Sequence, residues 1–417
     1  MTGIEFLQGL SLVLAVLISL CYCYQVLYLF IPILMKRRSQ KEPVLRKYAI
    51  LIAARNEEAV LPHLLDSLHA QDYPAELMDI FVVADNCTDA TAEVAEKGGA
   101  TVITRFNKQF VGKGYAIRYL LDYIQKNIGL SRYDAFLIFD ADNLLRPDYI
   151  SKINQLPSDG YEAFCGYRNT KNFGTNWITS GYGLWYLHES SHMNRSRYVL
   201  GVSCAVNGTG FGFTRELLER IGDWNFFTLT EDIEFNNWCV TNGVKVGYCH
   251  DAILYDEQPL TFAQSWTQRT RWAQGGIQVS LKYACPLFRS LFKGKWISWS
   301  ALELATLSLW GYGLAAIAGC LSLLVTFLTQ GTQALAVALI LALAGTYFSM
   351  FGTALWTLIP EWKRIHATTA QKIRSAFTFP FYMITYAPIA LCSFFRKFHW
   401  EPIKHTVAIS ASDLVKK

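Results

Sequence analysis

Asp140-Ala141-Asp142 sets two carboxylates two residues apart at the end of an apolar run, Ala135–Asp140 (AFLIFD). Carboxylates spaced in this way can hold a hard divalent cation and leave positions open to phosphate oxygens. Alone, such a pair recurs in ordinary turns. It gains weight from its company. Gly112-Lys113-Gly114 lies upstream and offers backbone N–H groups and an ammonium to an anion. Thr230-Glu231-Asp232 follows, and an aspartate beside a hydroxyl can act as its general base. Then comes Gln268-Arg269-Thr270-Arg271-Trp272. Its Arg and Gln side chains can neutralise a departing diphosphate, and its indole face can stack on a sugar ring. Each motif has a plain structural alternative: a turn, an N-cap box, an exposed basic helix. Their shared order and spacing argue against coincidence.

A rival motif sits between them. His188-Glu189-Ser190-Ser191-His192 matches HExxH, in which two histidines one helical turn apart share a zinc ion. No third ligand is marked, and Trp185, Tyr186, Leu187 and Met193 around it read as packing. A zinc metalloprotease is therefore the remote alternative.

The elements that must position these residues follow from the apolar pattern. Tyr48–Ala54 (YAILIAA), Ile80–Asp85 (IFVVAD) and Ala135–Asp140 read as strands, while Ala59–Ala70 and Thr88–Lys97 have helical spacing. Thr88 and Asp89 suit an N-cap. Strands alternating with helices imply a mostly parallel sheet, here over one domain at 48–283. In such sheets ligands bind at the carboxyl ends of the strands. Asp85 and Asp140 end two of them, and Arg55, Asn56, Glu57 and Glu58 follow the other. The exits together outline a nucleotide-sized pocket.

The chain is also built for lipid. Only 17% of its 417 residues are charged and 52% are apolar, against about 25% charged in soluble domains. A mean hydropathy of +0.19 is too low for a protein that is membrane throughout. An anchor is expected at 1–35, with spans at 302–328 and 334–358 joined by a turn at 329–333. A transmembrane or re-entrant helix is expected at 376–395, because Pro380 and Pro388 interrupt it. An interfacial helix at 284–300 mixes Phe288, Phe292, Trp296 and Trp299 with Arg289, Lys293 and Lys295. Lys36, Arg37, Arg38, Lys41, Arg46 and Lys47 follow the anchor, which puts the domain in the cytosol. Alternation of spans would send the far end outside, whereas Arg396, Lys397 and Lys404 argue for the inside. A net charge of +5 is too mild to argue for nucleic acid. Ten cysteines without a CxxC pair read as reduced thiols.

With these motifs in order, the chain resembles the family 2 membrane glycosyltransferases, which include cellulose, hyaluronan, chitin and poly-N-acetylglucosamine synthases. The resemblance implies an α/β GT-A fold with about four transmembrane helices, on a multi-pass protein of the cell membrane. It implies an inverting enzyme that moves sugar from a UDP-sugar to a growing β-linked polysaccharide. Single transfer to a membrane lipid is the alternative, since ceramide glucosyltransferases share the aspartates. Asp85 would contact uracil, with Ala54 and Glu57 nearby. Lys113, Gln268, Arg269 and Arg271 would bind the donor's diphosphate, and Asp140 and Asp142 would hold it through Mg²⁺ or Mn²⁺. Asp232, with Glu231 beside it, would be the catalytic base. Trp272 and the loop Gly208-Thr209-Gly210 would face the acceptor. An accessory subunit is left open. The chain departs from the pattern at Ala84-Asp85-Asn86, where Asp-Asp-Gly is familiar, and at Ala53, where Pro is common.

Overall fold

The computed structural model describes residues 3–36, 41–395 and 405–410. Arg37, Arg38, Arg396, Lys397 and Lys404 lie outside the described residues. Helix α1 (Gly3–Leu34) precedes the sheet domain. The first half of that domain is β1 (Tyr48–Ala54), α2 (Leu61–His69), β2 (Met78–Asp85), α3 (Thr91–Lys97), β3 (Thr101–Arg105), α4 (Lys113–Asn127) and β4 (Ala135–Asp140). The second half adds β5 (Leu144–Leu145), α5 (Tyr149–Ile153), α6 (Gln155–Ser158), β6 (Ala163–Thr170), α7 (Trp177–His188), α8 (Arg195–Leu200), β7 (Phe211–Thr214), α9 (Arg215–Ile221), α10 (Glu231–Thr241) and β8 (Val246–Asp256).

One eight-stranded sheet runs in the order β3-β2-β1-β4-β7-β6-β8-β5. β3, β2, β1 and β4 are parallel, and β7 runs against both β4 and β6. The chain starts at β1, steps out to β3, then crosses back to β4. A crevice therefore opens between the ends of β1 and β4, where the winding reverses. Register sets Ala53 beside Asp140, Ala54 beside Ala84, and Asp85 beside Arg105. The side-chain alternation of a strand feeds two cores. Leu51, Val83 and Ile138 pack with Ile117, Leu120 and Ile124 of α4, whereas Ile50, Ile52 and Phe139 pack with Leu61, Leu64 and Leu68 of α2. Each such side chain contributes about 1.5–3 kcal/mol by leaving water.

The apolar helices differ in detail from the sequence expectation. α11 (Phe262–Ser290) runs through the expected domain end at 283. The expected interfacial stretch is divided between its last turns and α12 (Lys295–Thr306). The chain bends at Leu307–Ser308, so the next span begins at Leu309 rather than 302. The expected turn at 329–333 shrinks to one non-helical residue, Gly331 with φ 82°, inside α13 (Leu309–Glu361). Both legs of α13 exceed the roughly 20 residues that cross a bilayer. Among the described residues three helices are thus long and apolar enough to span: α1, the two-legged α13, and the 369–393 pair. That pair, α14 (Thr369–Ile384) and α15 (Tyr386–Ser393), is tied to the sheet domain at both ends. Gln371 Nε2 donates to the Gly174 carbonyl at 2.8 Å, and Gln274 Nε2 to the Ser393 carbonyl at 3.0 Å. Residues 405–410 then return to the strand exits. The pair lies along the domain.

Candidate active site

β1 and β2 each hand over to an asparagine in left-handed backbone, Asn56 (φ 57°) and Asn86 (φ 54°). Asparagine adopts that region more readily than most residues. The two side chains brace the exit loops. Asn56 Oδ1 accepts from the Thr88 N–H at 2.8 Å, and Asn86 Oδ1 from the Asn107 N–H at 2.9 Å. Thr88, expected to cap a helix, is thereby taken up by Asn56, and α3 begins at Thr91 with Ala90 at its N-cap. Asp85 is buried, and its Oδ1 accepts from Arg105 Nη1 at 2.5 Å and Asn86 Nδ2 at 3.0 Å. Burial raises its pKa, and Arg105 opposes the rise. Ala54 is buried at the end of β1. The Glu57 carboxylate lies 2.9 and 3.0 Å from His405 Nδ1.

The next exit carries Asp140 and Asp142. Lys113, the first residue of α4, reaches Asp140 Oδ1 at 2.5 Å and the Gly208 carbonyl at 2.7 Å. Carboxylates raise its pKa against the effect of burial, Asp140 most strongly and then Glu231 and Asp232. Thr209 turns inward: its Oγ1 accepts the Asp140 N–H at 2.9 Å and donates to Asn143 Oδ1 at 2.5 Å. Gly210 lets this loop lie so close, with φ 62° and a position where a Cβ would fall 1.9 Å from Leu254. Asp142 Oδ2 accepts the Glu257 N–H at 2.7 Å. Burial works against its charge, yet His405 and Lys171 hold its carboxyl below the usual range. Among the described residues no three His, Cys, Asp or Glu side chains form a ready metal cage. Two oxygen-donor side chains at an open crevice fit a hard cation that keeps the rest of its shell for phosphate and water.

Across the crevice, α10 opens with Glu231 and Asp232. Burial pushes Glu231 up to about 7, with Lys113 pulling down and Asp232 pushing further up. Burial also raises Asp232, while the Ile233 N–H, Lys113, Arg271 and Arg168 oppose it. Arg168 on β6 donates from Nε to Asp256 Oδ2 at 2.6 Å and from Nη1 to the Asn207 carbonyl at 2.5 Å. Its guanidinium lies 3.7 Å from the Tyr186 ring centre. Gly275 brings α11 against the start of α10, since a Cβ there would meet Thr230 Oγ1 at 2.5 Å.

Helical geometry sorts the QRTRW residues. Positions 268, 271 and 272 share a face, and 269 points about 100° away. Arg271 donates to the Leu229 carbonyl at 2.8 Å, beside the acidic pair. Among the described residues Gln268 Oε1 is buried without a partner. Trp272 stands edge-on to Tyr182 and Tyr186, at 5.7 and 6.4 Å between centroids. Arg269 does not reach the crevice. It is 1% exposed and bonds Thr385 Oγ1 at 2.7 Å, between the rings of Tyr382 and Tyr386. It fastens α11 to the α14–α15 pair.

Sequence reasoning missed Arg105, Arg168, Lys171, Asp256, Glu257 and His405. Asp256 and Glu257 end an apolar run and obey the rule that found Asp85 and Asp140. Nothing local marks His405. The Thr406 and Val407 N–H groups both donate to the Glu257 carboxylate at 2.9 Å, so residues 405–407 cross the crevice mouth as a strap. The HExxH motif is structural. Glu189 pairs with Arg197 at 2.5 Å, His188 Nδ1 lies 3.3 Å from Thr357 Oγ1, and burial presses both histidines down, to about 4 and about 3. A π-helical turn at Glu189–Asn194 carries the second histidine, whose ring lies 5.5 Å from that of His188 between centroids.

A parallel sheet half with acids at its exits, joined through an antiparallel strand to a second acidic motif, is the GT-A arrangement of glycosyltransferases. Glycosyltransferase like family 2 matches residues 46–275, over half of the chain, and the chain belongs to that family. The mannosyltransferase PcManGT from Pyrobaculum calidifontis, solved with GDP-Man and Mn²⁺, superposes with a TM-score of 0.57. The overlap covers 92% of this chain and 99% of that one at 18% identity. The β-monoglucosyldiacylglycerol synthase of Synechocystis is 28% identical over 240 residues, 56% of this chain and 48% of that protein. The poly-β-1,6-N-acetyl-D-glucosamine synthase of Staphylococcus epidermidis is 24% identical over 246 residues, 58% and 57% of the two lengths. The chain thus spans about half the length of these curated relatives.

Proposed function

We propose that this glycosyltransferase inverts configuration as it moves a sugar from a UDP-sugar to a hydroxyl of a membrane lipid. The observation that carries the chemistry is the convergence of Lys113, Asp140, Asp142, Glu231, Asp232 and Arg271 on one crevice. Asp85 accepts a hydrogen bond from the base at the outer end, beside Ala54 and Glu57. Asp140 and Asp142 are the residues to hold Mg²⁺ or Mn²⁺, which supplies positive charge for the diphosphate. Asp232 takes the proton of the acceptor hydroxyl as its oxygen bonds to the anomeric carbon and the bond to UDP breaks. Glu231, pushed up to about 7, spares that site a second full negative charge. Arg271 and the unpartnered Gln268 face the departing diphosphate, and Trp272 floors the acceptor.

The motifs alone favour a growing polysaccharide, whereas the membrane part favours a lipid. α14–α15 is fastened to the catalytic domain at both ends, which leaves α1 and the two legs of α13 as crossings. Among the described residues these three crossings do not enclose a path for a sugar chain, and a lipid headgroup needs only an open side. The enzyme sits in the cell membrane with its catalytic domain in the cytosol, and an accessory subunit belongs to the polysaccharide reading alone. Membranes holding the full chain are to be given radiolabelled UDP-sugars and the products sized. One sugar on an extractable lipid is expected. A ladder of long, lipid-free products reverses the choice of acceptor.

A further inference from the structure

Arg105 ends β3 directly beside Asp85 in the sheet register. It is 7% exposed, and its guanidinium forks between two acceptors: Asp85 Oδ1 at 2.5 Å and the Phe110 carbonyl at 2.6 Å. Asn86 Nδ2 occupies the same carboxylate oxygen at 3.0 Å. Among the described residues nothing donates to Asp85 Oδ2. The fork thus fixes the plane of the carboxylate, and the loop at 106–110 with it, leaving one acceptor oxygen free at the pocket's outer end.

The charge matters as much as the geometry. A buried carboxyl without a counterion takes up a proton and becomes a donor. Arg105 is the cation in contact with Asp85, and Arg55 adds a more distant positive charge. Kept ionised, Asp85 offers only lone pairs. Uracil and guanine each present a ring N–H flanked by a carbonyl, whereas cytosine and adenine present a bare ring nitrogen beside an amino group. An acceptor-only oxygen pairs with the first two and leaves the others with facing lone pairs.

We propose that Arg105 is a positioning residue that sets base selectivity, by holding Asp85 as an oriented acceptor for donors whose base carries a ring N–H. The inference rests on the reading that Asp85 faces the donor base.

Binding of UDP, CDP, GDP and ADP to the purified full chain with Mn²⁺ tests it by calorimetry. UDP and CDP share every group except the edge in question. Wild type is expected to prefer UDP over CDP by about tenfold or more, the scale of one well-made base contact. UDP against GDP tells which of the two ring N–H bases fits. Arg105→Gln should collapse the UDP/CDP preference to within about threefold, with CDP affinity unchanged or raised as the protonated carboxyl becomes a donor. An unchanged preference, or equal weakening of both nucleotides, overturns the role of Arg105. If the Gln variant does not fold, Arg105→Lys decides. It keeps the charge but replaces the fork with one nitrogen, and should cut the preference at least about threefold. A Lys variant that matches wild type overturns the proposal. Equal binding of UDP and CDP by wild type removes the Asp85 reading beneath it, while transfer from a UDP-sugar, assayed in parallel, still reports on the transferase itself.

Discussion

Two buried ionic clusters show what this protein does with charge. At the junction of α1, α8 and α12, Arg197 bonds Glu189 at 2.5 Å and Glu303 at 2.7 Å. The Tyr28 hydroxyl donates to Glu303, and Trp299 Nε1 donates to Tyr28 at 2.7 Å. Each carboxylate there has its donor inside the protein. The crevice is built differently. Glu57, Asp140, Asp142, Glu231, Asp232, Asp256 and Glu257 outnumber Lys113, Arg168, Lys171, Arg271 and His405. A closed cluster fixes helices against each other. Both have more carboxylates than cations, but only the open one can meet the deficit with a cation and its ligand.

The sharpest test of that contrast is chelation. Excess EDTA should take transfer to background and added Mn²⁺ or Mg²⁺ should restore it, while the melting of the Arg197 junction stays unmoved. Full activity in chelator would remove the metal from the account. Next in size is Asp232→Asn, expected to lower kcat by about 10²–10⁴-fold. UDP affinity should hold within about twofold, because no base contact is lost; a rate near wild type would show that Asp232 is not the base.

Arg197→Met should have the opposite profile. It strands two carboxylates and should cost about 3–5 kcal/mol of stability. Thermal unfolding reads the loss, and the donor KM of the surviving protein should not change. A shifted KM would mean that the junction communicates with the crevice. The smallest effect concerns pH. A base must be deprotonated, so the rate falls as pH falls through its pKa. Burial raises Asp232, which puts the acid limb above the ordinary aspartate range. Glu231, pushed up to about 7, is largely neutral where Asp232 titrates, so Glu231→Gln should leave that limb within about half a unit of wild type. A limb that moves to lower pH by a unit or more would show that Glu231 carries its charge there.

Much of this was legible from the chain. The strands at 48–54 and 135–140 are buried on both faces, so their unbroken apolar runs gave their ends directly, and their ends are the crevice. Asp140, Asp142, Lys113, Glu231 and Asp232 stood out because each sits where a strand stops or a helix starts. Arg269 misled because a motif is linear and a helix is not: one residue on from Gln268 is a different face. Thr209 misled in a similar way, since its hydroxyl serves the Asp140 backbone. Arg105, Arg168 and His405 left no trace because their partners lie 20, 88 and 348 residues away. Pairing at that range is a property of topology, which residue spacing does not record.

The strap also gives the protein a timetable. The sheet domain emerges from the ribosome long before residues 405–407, which join Glu57 and Glu257 at the crevice mouth. At about 5–20 residues per second, the last stretch of synthesis after α11 adds on the order of ten seconds. Throughout that interval the sheet can fold, yet the mouth of the crevice lacks one wall. A nascent chain therefore holds this end of the crevice unfinished until nearly all of its helices have been made.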